Sequence, residues 1–212
     1  MPRGFCGTFG FVLAIGAFVS GATFAAPAAD DSKACLQESG DAAIEACTRA
    51  IKSKRYSGHV LARQYLSRGV EQRSKEDYDA ALADFAEALK VDKKYSGAYF
   101  NRCSIFDYKK QYDAAITECS QAIKLGPGAD TTMAGHNEKL GRDKVISDYY
   151  ATRGHAYLKK DDLVHAFADL ENAIRLNPDN GRALRTRGEA YEAKGDVARA
   201  QADYAAAKLF GE

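Results

Sequence analysis

Large, small and aromatic side chains recur along this chain with a period of 34 residues. The repeat is clear in four units, which span residues 62–95, 96–129, 147–180 and 181–212. The twentieth and twenty-seventh places of every unit hold alanine, namely Ala81, Ala88, Ala115, Ala122, Ala166, Ala173, Ala200 and Ala207. Alanine on one helix lets a bulky side chain on its neighbour approach closely, so the pattern predicts pairs of packed α-helices.

Two further places of the repeat pair a small residue with a larger one. The eighth place holds Gly69, Cys103, Gly154 and Gly188. The twenty-fourth place holds Phe85, Cys119, Leu170 and Tyr204. Pro127 and Pro178 occupy the thirty-second place and separate one unit from the next, because proline ends a helix. Gln72 and Lys93 depart from the pattern, which favours an aromatic residue and a proline there.

The order of residue types at these places resembles the pattern of the tetratricopeptide repeat family. The chain as a whole resembles an exported, bacterial-type member of that family. The resemblance implies an all-α fold, a right-handed superhelix (solenoid) of antiparallel helix pairs with about four units. Residues 41–52 repeat the second-helix pattern, with Ala43 and Ala50 in the alanine places. We therefore expect a repeat domain over 29–212 that begins with a degenerate half-repeat in a cap of residues 30–61. The alternative is a generic helical bundle.

A segment of 17 residues, 130–146, interrupts the period between the second and third units. Its first residues, 130–132, are typical of a loop, whereas 137–146 can extend the following helix towards its N-terminus. Insertions in solenoids often lie at a binding face. A tolerated surface loop explains the segment equally well, so both interpretations stay open.

Composition and charge narrow the class of protein. The chain is 46% hydrophobic and 28% charged, which suits one folded unit and differs from a disordered chain. After residue 28 there are 29 acidic residues and, once Arg3 is subtracted from the 30 basic ones, 29 basic residues. The two signs alternate along the chain without a basic stripe, which argues against a nucleic-acid partner.

Residues 1–28 have the pattern of a signal peptide. Arg3 precedes an apolar stretch over 9–19, and small residues follow to Ala29. The sequence therefore predicts a cleaved protein that is periplasmic or secreted, without a lasting membrane anchor. A permanent anchor is the alternative, but the stretch is short and contains two glycines. Cys6 precedes the apolar stretch, so we expect no lipid attachment at a cleavage site.

Four cysteines remain after the predicted cleavage, and an oxidising compartment favours disulfides. Among three possible connectivities, pairing of Cys35 with Cys47 and of Cys103 with Cys119 is favoured, because each pair is close in sequence and bridges one helix hairpin. The resemblance also implies that the eighth and twenty-fourth places of a unit pack face to face. The alternative, a thiol enzyme or redox sensor, lacks a Cys-x-x-Cys motif. The four histidines lack ligand spacing, so no metal site is expected.

A charge pattern repeats with the units. Arginine holds the seventh place and an acid the twenty-third, giving the pairs Arg68 and Asp84, Arg102 and Glu118, Arg153 and Asp169, and Arg187 and Asp203. The two places lie on facing helices, so we predict structural ion pairs that join the first helix of a unit to its second. The alternative is a row of arginines that binds an anionic ligand.

The resemblance implies a concave groove lined by the first helix of each unit. Transfer of the family's groove places gives Arg63, Leu66, Val70, Phe100, Asn101, Asp107, Tyr108, His155, Lys159, Arg185 and Glu189. We expect Phe100, Asn101, Tyr108, His155, Lys159 and Arg185 to form the partner-binding groove, since they combine aromatic and hydrogen-bonding side chains. One subfamily binds a chaperone tail through a carboxylate clamp, and only Asn101 matches that clamp here.

The chain contains no recognisable catalytic triad, phosphate-binding loop or metal signature. We therefore expect a non-catalytic protein-interaction module or adaptor without a cofactor, which binds a protein or peptide. The alternative is a self-assembling structural component of the cell envelope. Leu209 and Phe210 suggest such self-association, because no polar helix follows to cover the C-terminal end.

Overall fold

Ten α-helices lie within residues 30–128 and 138–211, the ranges that the computed structural model describes. They are α1 (Asp31–Gln37), α2 (Gly40–Lys52), α3 (Gly58–Ser74), α4 (Tyr78–Val91), α5 (Ser96–Tyr108), α6 (Tyr112–Leu125), α7 (Glu138–Lys159), α8 (Leu163–Leu176), α9 (Gly181–Ala193) and α10 (Val197–Leu209). These two ranges contain no β-strand. The prediction of an all-α fold is confirmed.

Successive helices pack as antiparallel hairpins, which pair α1 with α2, α3 with α4, and so on to α10. Each first helix also contacts the first helix of the next hairpin, from α1 through α9. No second helix of the described chain packs as extensively against the next second helix. The first helices therefore form an inner layer and the second helices spread outside it, which is the curvature of a solenoid.

The eighth and twenty-fourth places meet at the crossing of each hairpin. A Cβ atom added to Gly188 would lie 2.7 Å from Cε1 of Tyr204, so only glycine leaves room for the large partner. In the second unit Cys103 and Cys119 hold these places, and their sulfurs lie 2.07 Å apart, at disulfide distance. Two cysteines thus replace the glycine and large residue found at these places in the other three repeat units.

The N-terminal hairpin is short and is attached to the rest by specific contacts. Helix α1 has only seven residues, too few to be stable alone. The sulfurs of Cys35 and Cys47 lie 2.09 Å apart and join α1 to α2. The buried side chain of Gln64 on α3 donates a hydrogen bond to the Ser32 hydroxyl at 3.0 Å. These contacts hold α1 against the inner layer.

The core consists of alanine and a few larger side chains. The alanines of the twentieth and twenty-seventh places are at most 2% exposed. Phe85 and Leu170 are fully buried among them in the first and third units. Small residues at fixed places let the helices approach closely enough for these large side chains to fill the space between them.

Two predicted segments lie partly or wholly outside the described residues. The predicted signal peptide, 1–28, is outside them, and so are residues 130–137 of the insertion. Residues 138–146 of the insertion form the N-terminal part of α7, which is 22 residues long. Within the described ranges, no helix has both the length and the hydropathy needed to span a bilayer.

Candidate functional site

The guanidinium of Arg153 joins two helices of its own unit and reaches the preceding unit. Its Nε and Nη2 donate to the two carboxylate oxygens of Asp169 at 2.7 and 2.8 Å. Its Nη1 donates to the Ser120 hydroxyl at 2.9 Å. Arg68 makes the same bidentate contact with Asp84, and Arg187 makes it with Asp203. Because each of these guanidinium groups already donates to a carboxylate, it has few N–H donors left for an external anion.

The second unit has a less complete version of this pair. Arg102 Nη2 lies 2.8 Å from Glu118 Oε1, while Glu118 Oε2 is buried without a hydrogen-bond partner among the described residues. Burial raises the pKa of the Glu118 carboxyl, and the charge of Arg102 opposes that shift. The longer glutamate therefore fits this site less well than aspartate fits the equivalent sites.

The inner layer carries an open hollow between α5, α7 and α9. Its volume is ≈ 450 Å³. The side chains around it are Ser104, Asp107, Tyr108, Lys110, Tyr112, His155, Lys159 and Arg182. Tyr108 is 63% exposed, although it is a large aromatic residue. An exposed aromatic ring at the edge of a concave, mixed polar surface is typical of a protein-binding site.

A buried carboxylate connects three inner helices at the base of the hollow. The Asp107 side chain, 6% exposed, lies 2.8 and 3.0 Å from Nδ1 of His155 through its two oxygens. Arg182 Nη2 donates to Asp107 Oδ2 at 2.9 Å, and its Nη1 donates to the Thr152 hydroxyl at 3.1 Å. The network fixes the positions of His155 and Arg182, so the hollow has an ordered base.

Cationic side chains predominate around the hollow. Three lining residues, Lys110, Lys159 and Arg182, are basic, and Asp107 is the only acid among the lining residues. Lys159 also contacts Glu189 on α9 at 2.8 Å. Within the described ranges, no group of three His, Cys, Asp or Glu side chains is placed to bind a metal ion.

Three of the six predicted groove residues line the hollow. Tyr108, His155 and Lys159 line the hollow. Arg185 lies in a different depression with Glu189, Tyr204, Ala207 and Lys208. Lys159 of the hollow contacts Glu189 of the second depression at 2.8 Å, so the two depressions adjoin.

Phe100 and Asn101, two further predicted groove residues, contact other side chains or backbone of the inner layer. Asn101 is only 9% exposed, and its Nδ2 donates to the Gly97 carbonyl of its own helix at 2.8 Å. The Phe100 ring is half-buried and packs against the ring of Tyr149, with centroids 4.6 Å apart. Both side chains contribute to packing within the inner layer, where Tyr149 of α7 lies next to α5.

Two important lining residues were missing from the sequence prediction. Arg182 holds the second place of the fourth unit, which is a groove place, so the periodicity could have identified it. Lys110 lies in the turn after α5 with a φ of 59°, outside the helical places that the pattern describes. Only the path of this turn places its side chain beside the hollow.

Comparison with known proteins gives a consistent result for the fold. The family described as Tetratricopeptide repeat matches residues 66–130 and 152–211. A relative from Dictyostelium discoideum, DnaJ homolog subfamily C member 7 homolog, is 26% identical over 141 residues, or 65% of this chain. Small glutamine-rich tetratricopeptide repeat-containing protein 2 of Mycosarcoma maydis is 24% identical over 119 residues, or 56% of this chain. The matches span only 21% and 29% of these longer relatives.

Solved structures with the same architecture include MamA, with a TM-score of 0.61 and 22% identity over 80% of this chain and 87% of that one. Cut9 in its complex with Hcn1 has a TM-score of 0.65 at 16% identity, over 81% of this chain and 30% of that one. The first TPR domain of Spaghetti (RPAP3), bound to the HSP90 peptide SRMEEVD, has a TM-score of 0.54 at 19% identity. That match covers 66% of this chain and 98% of the domain. At these identities the similarity establishes the fold alone.

Proposed function

Since the chain belongs to the tetratricopeptide repeat family, we propose that it is a non-catalytic interaction module whose inner surface binds a peptide or a segment of a partner protein. The observation that carries the proposal is the hollow around Tyr108, which combines an exposed aromatic ring with an ordered base formed by Asp107, His155 and Arg182. Pre-ordered side chains lower the entropy lost on binding. Proteins of this family generally act as interaction modules.

The solved domain of Spaghetti supports peptide binding by this architecture, since it holds an HSP90 peptide. The chemistry of recognition is different in this chain. Of the clamp places, Leu66, Val70, Asp148 and Thr152 hold residues of another type, and Asn101 is engaged with its own helix. We therefore propose an internal segment of a partner as the ligand, and the hollow around Tyr108 as its main contact.

Site-specific photo-crosslinking tests the location of binding. A photoreactive phenylalanine analogue placed at Tyr108 is expected to capture a discrete partner from the cells that make the protein. The control is the same analogue at Val164, which is 79% exposed on the second helix α8. Equal capture from both positions, or capture from Val164 alone, would contradict binding at the inner surface.

Point variants measure how much each side chain contributes to binding of the captured partner. Tyr108→Ala and Lys159→Ala are each expected to weaken binding by ~1 to 3 kcal/mol, because binding energy concentrates in a few aromatic and charged side chains. Tyr108 is 63% exposed and the Lys159 side chain is 38% exposed, so the melting temperature is expected to change little. Arg185→Ala, in the separate depression, is expected to have a smaller effect.

We also propose that the protein is exported, to the periplasm or beyond the cell. The pattern of residues 1–28 and the two cysteine pairs at disulfide distance support this location. Mass spectrometry of protein recovered from the compartment is expected to find an N-terminus after residue 25 or 28. Recovery of the whole chain from the cytoplasm, with reduced cysteines, would contradict export.

A second candidate function is self-assembly into a structural component of the cell envelope. It is favoured by Leu209 and Phe210, which are 80% and 44% exposed at the end of α10. Exposed apolar side chains on a folded surface can pack against another copy. Sedimentation of the wild type and of Leu209→Lys distinguishes the candidates, since self-assembly predicts oligomers that the charge disperses.

A further inference from the structure

Three depressions adjoin one another and form a continuous track, here called the binding track. The hollow, ≈ 450 Å³, shares Lys110 and Tyr112 with a depression of ≈ 370 Å³ at the turn after α5. Lys159 of the hollow contacts Glu189 of the depression on α9 and α10, whose volume is ≈ 350 Å³. A series of adjoining depressions suits an extended segment with several side chains better than a compact ligand.

Basic side chains outnumber acidic ones along the binding track. The six basic residues are Lys110, Lys159, Lys160, Arg182, Arg185 and Lys208, and the three acids are Asp107, Asp113 and Glu189. Each acid already has a cationic partner within the track. Arg182 donates to Asp107, Lys160 to Asp113 and Lys159 to Glu189. The track therefore carries an excess of positive charge that its own carboxylates do not neutralise.

Two basic residues of the track, Lys110 and Lys208, are exposed and form no ion pair with any residue that the structure describes. Lys110 holds the fifteenth place of its unit, in the turn between the two helices, with a φ of 59°. The same place holds Glu76, Asp161 and Gly195 in the other units, also with positive φ. Since this turn forms with an acid, a glycine or a lysine, its conformation does not require the charge of Lys110.

Tyr108 supplies an apolar contact beside this charge. Its ring is 63% exposed and packs against the ring of Tyr78, with centroids 5.0 Å apart, so a second ring supports its position. Lys110 follows two residues later and lines the same hollow. The hollow thus offers an aromatic surface and an unpaired cation to the same ligand.

We propose that the binding track holds an extended, acidic segment of a partner protein, with a large apolar side chain on Tyr108 and carboxylates near Lys110 and Lys208. This inference rests on the proposed function, because it specifies the chemistry of the ligand of the same inner surface. Complementary charge favours an acidic ligand. The three acids interrupt the basic residues of the track, so it suits a protein segment better than a nucleic-acid backbone.

Peptide display on the folded full-length chain supplies the probe. Random dodecapeptides are selected, and the most enriched one is blocked at both termini and labelled with fluorescein, so that only side chains provide carboxylates. The expected consensus contains several Asp or Glu residues and one aromatic or large aliphatic residue. A consensus without acids, or binding that requires a free C-terminal carboxylate, would overturn the proposal. Tighter binding of labelled single-stranded DNA than of the peptide would also overturn it.

Fluorescence polarisation then compares the affinity of this peptide among charge-reversed variants. Lys110→Glu is expected to weaken binding ~10-fold and Lys208→Glu, in the adjoining depression, ~3-fold, because attraction becomes repulsion at an exposed site. The control is Lys124→Glu, which reverses an exposed lysine in the last turn of α6, as Lys208 lies in the last turn of α10. Lys124 is outside the track and this variant is expected to bind like the wild type. Unchanged affinity in Lys110→Glu or in Lys208→Glu would overturn the proposal.

A charge-reversed peptide distinguishes direct pairing from a disturbed fold. The selected peptide with every acid replaced by Lys is expected to bind the double variant Lys110→Glu with Lys208→Glu more tightly than it binds the wild type. Lys110→Glu is expected to keep the wild-type melting temperature, because Glu76 holds the same place with a φ of 63°. A lower melting temperature with an equal loss of both peptides would assign Lys110 to the fold and overturn the proposal.

Tyr108→Ala distinguishes failure of this inference from failure of the proposed function. If Tyr108→Ala loses affinity while Lys110→Glu and Lys208→Glu bind like the wild type, recognition of acids fails and the proposed function stands. If all three variants bind like the wild type, the inner surface is not the binding site and both proposals fail.

Discussion

Gly154 on α7 leaves no room for a side chain against Leu170 on α8, since an added Cβ would lie 2.9 Å from Cγ of Leu170. Gly154→Ala is therefore expected to destabilise the protein by ~1 to 3 kcal/mol through overpacking of the hairpin. Chemical denaturation with a fitted unfolding free energy measures the loss.

The matched control is Gly97→Ala on α5. An added Cβ at Gly97 would lie 3.6 Å from the nearest atom, a side-chain carbon of Tyr95, which is ordinary contact. Alanine also favours the helix, so this variant is expected to be neutral or slightly stabilising. A loss as large as that of Gly154→Ala would show that the hairpin crossing is not the cause.

Cys103 and Cys119 occupy the same two places as Gly154 and Leu170, and their sulfurs lie at disulfide distance. Peptide mapping without reduction is expected to link Cys103 to Cys119 and Cys35 to Cys47. Opening the first of these bonds is expected to cost ~3 kcal/mol, because it closes a loop of about 15 residues. Recovery of Cys35 linked to Cys103, or of four free thiols in exported protein, would contradict the pairing.

Replacement of the cysteines provides a second measurement. The double variant Cys103→Gly with Cys119→Leu rebuilds the glycine and leucine contact of the third unit. It is expected to be more stable than the variant Cys103→Ala with Cys119→Ala. In that second variant the alanine at residue 119 is smaller than leucine and leaves a cavity between the two helices. Thermal unfolding under reducing conditions compares the two, and the reverse order would contradict the equivalence of the units.

Arg153 and Asp169 form a partly buried pair, with side chains 19% and 7% exposed. Arg153→Ala and Asp169→Ala are each expected to destabilise by ~3 kcal/mol, since each leaves the other charge unpaired. The double variant should lose less than the sum of the single losses, and additive losses would show that the residues do not interact. Arg49 with Asp31 is the exposed control, for which little or no coupling is expected.

Glu118 makes stability depend on pH. Its folded pKa is raised by burial, so the folded chain retains this proton in a range where the unfolded chain has lost it. Stability contributed by Glu118 is therefore greatest below its unfolded pKa of about 4.3 and falls as pH rises through its folded pKa. Unfolding free energies measured from acid to neutral pH should show the wild type losing stability relative to Glu118→Gln. A constant difference would contradict the raised pKa.

Gln111 precedes α6 without a side-chain capping bond, whereas aspartates cap α4, α8 and α10. Asp162, for example, accepts from the backbone N–H of His165 at 3.1 Å. Gln111→Asp is therefore expected to stabilise the protein by ~1 kcal/mol. Gln111→Asn, also a good cap, should give a gain as well, while Gln111→Ala should give none; an equal response in all three would exclude capping as the cause.

Contacts between the two helices of one unit could be predicted from sequence, because they join residues that are separated by the same number of positions in every unit. The alanines, Arg153 with Asp169 and Cys103 with Cys119 all follow from the 34-residue pattern. Within a hairpin the geometry is set by the two helices and their short turn, so the same places meet in every unit. This local regularity also determined the all-α solenoid.

The candidate site was only partly predictable, because it depends on contacts between units. His155 and Arg182 lie 48 and 75 residues along the chain from Asp107, whose carboxylate they share. The packing between units also leaves Asn101 only 9% exposed and places Arg185 in a different depression. Sequence periodicity determined which helices pair. The packing of α5, α7 and α9 against one another decided which side chains remain available to a ligand, because small rotations between units accumulate along the array.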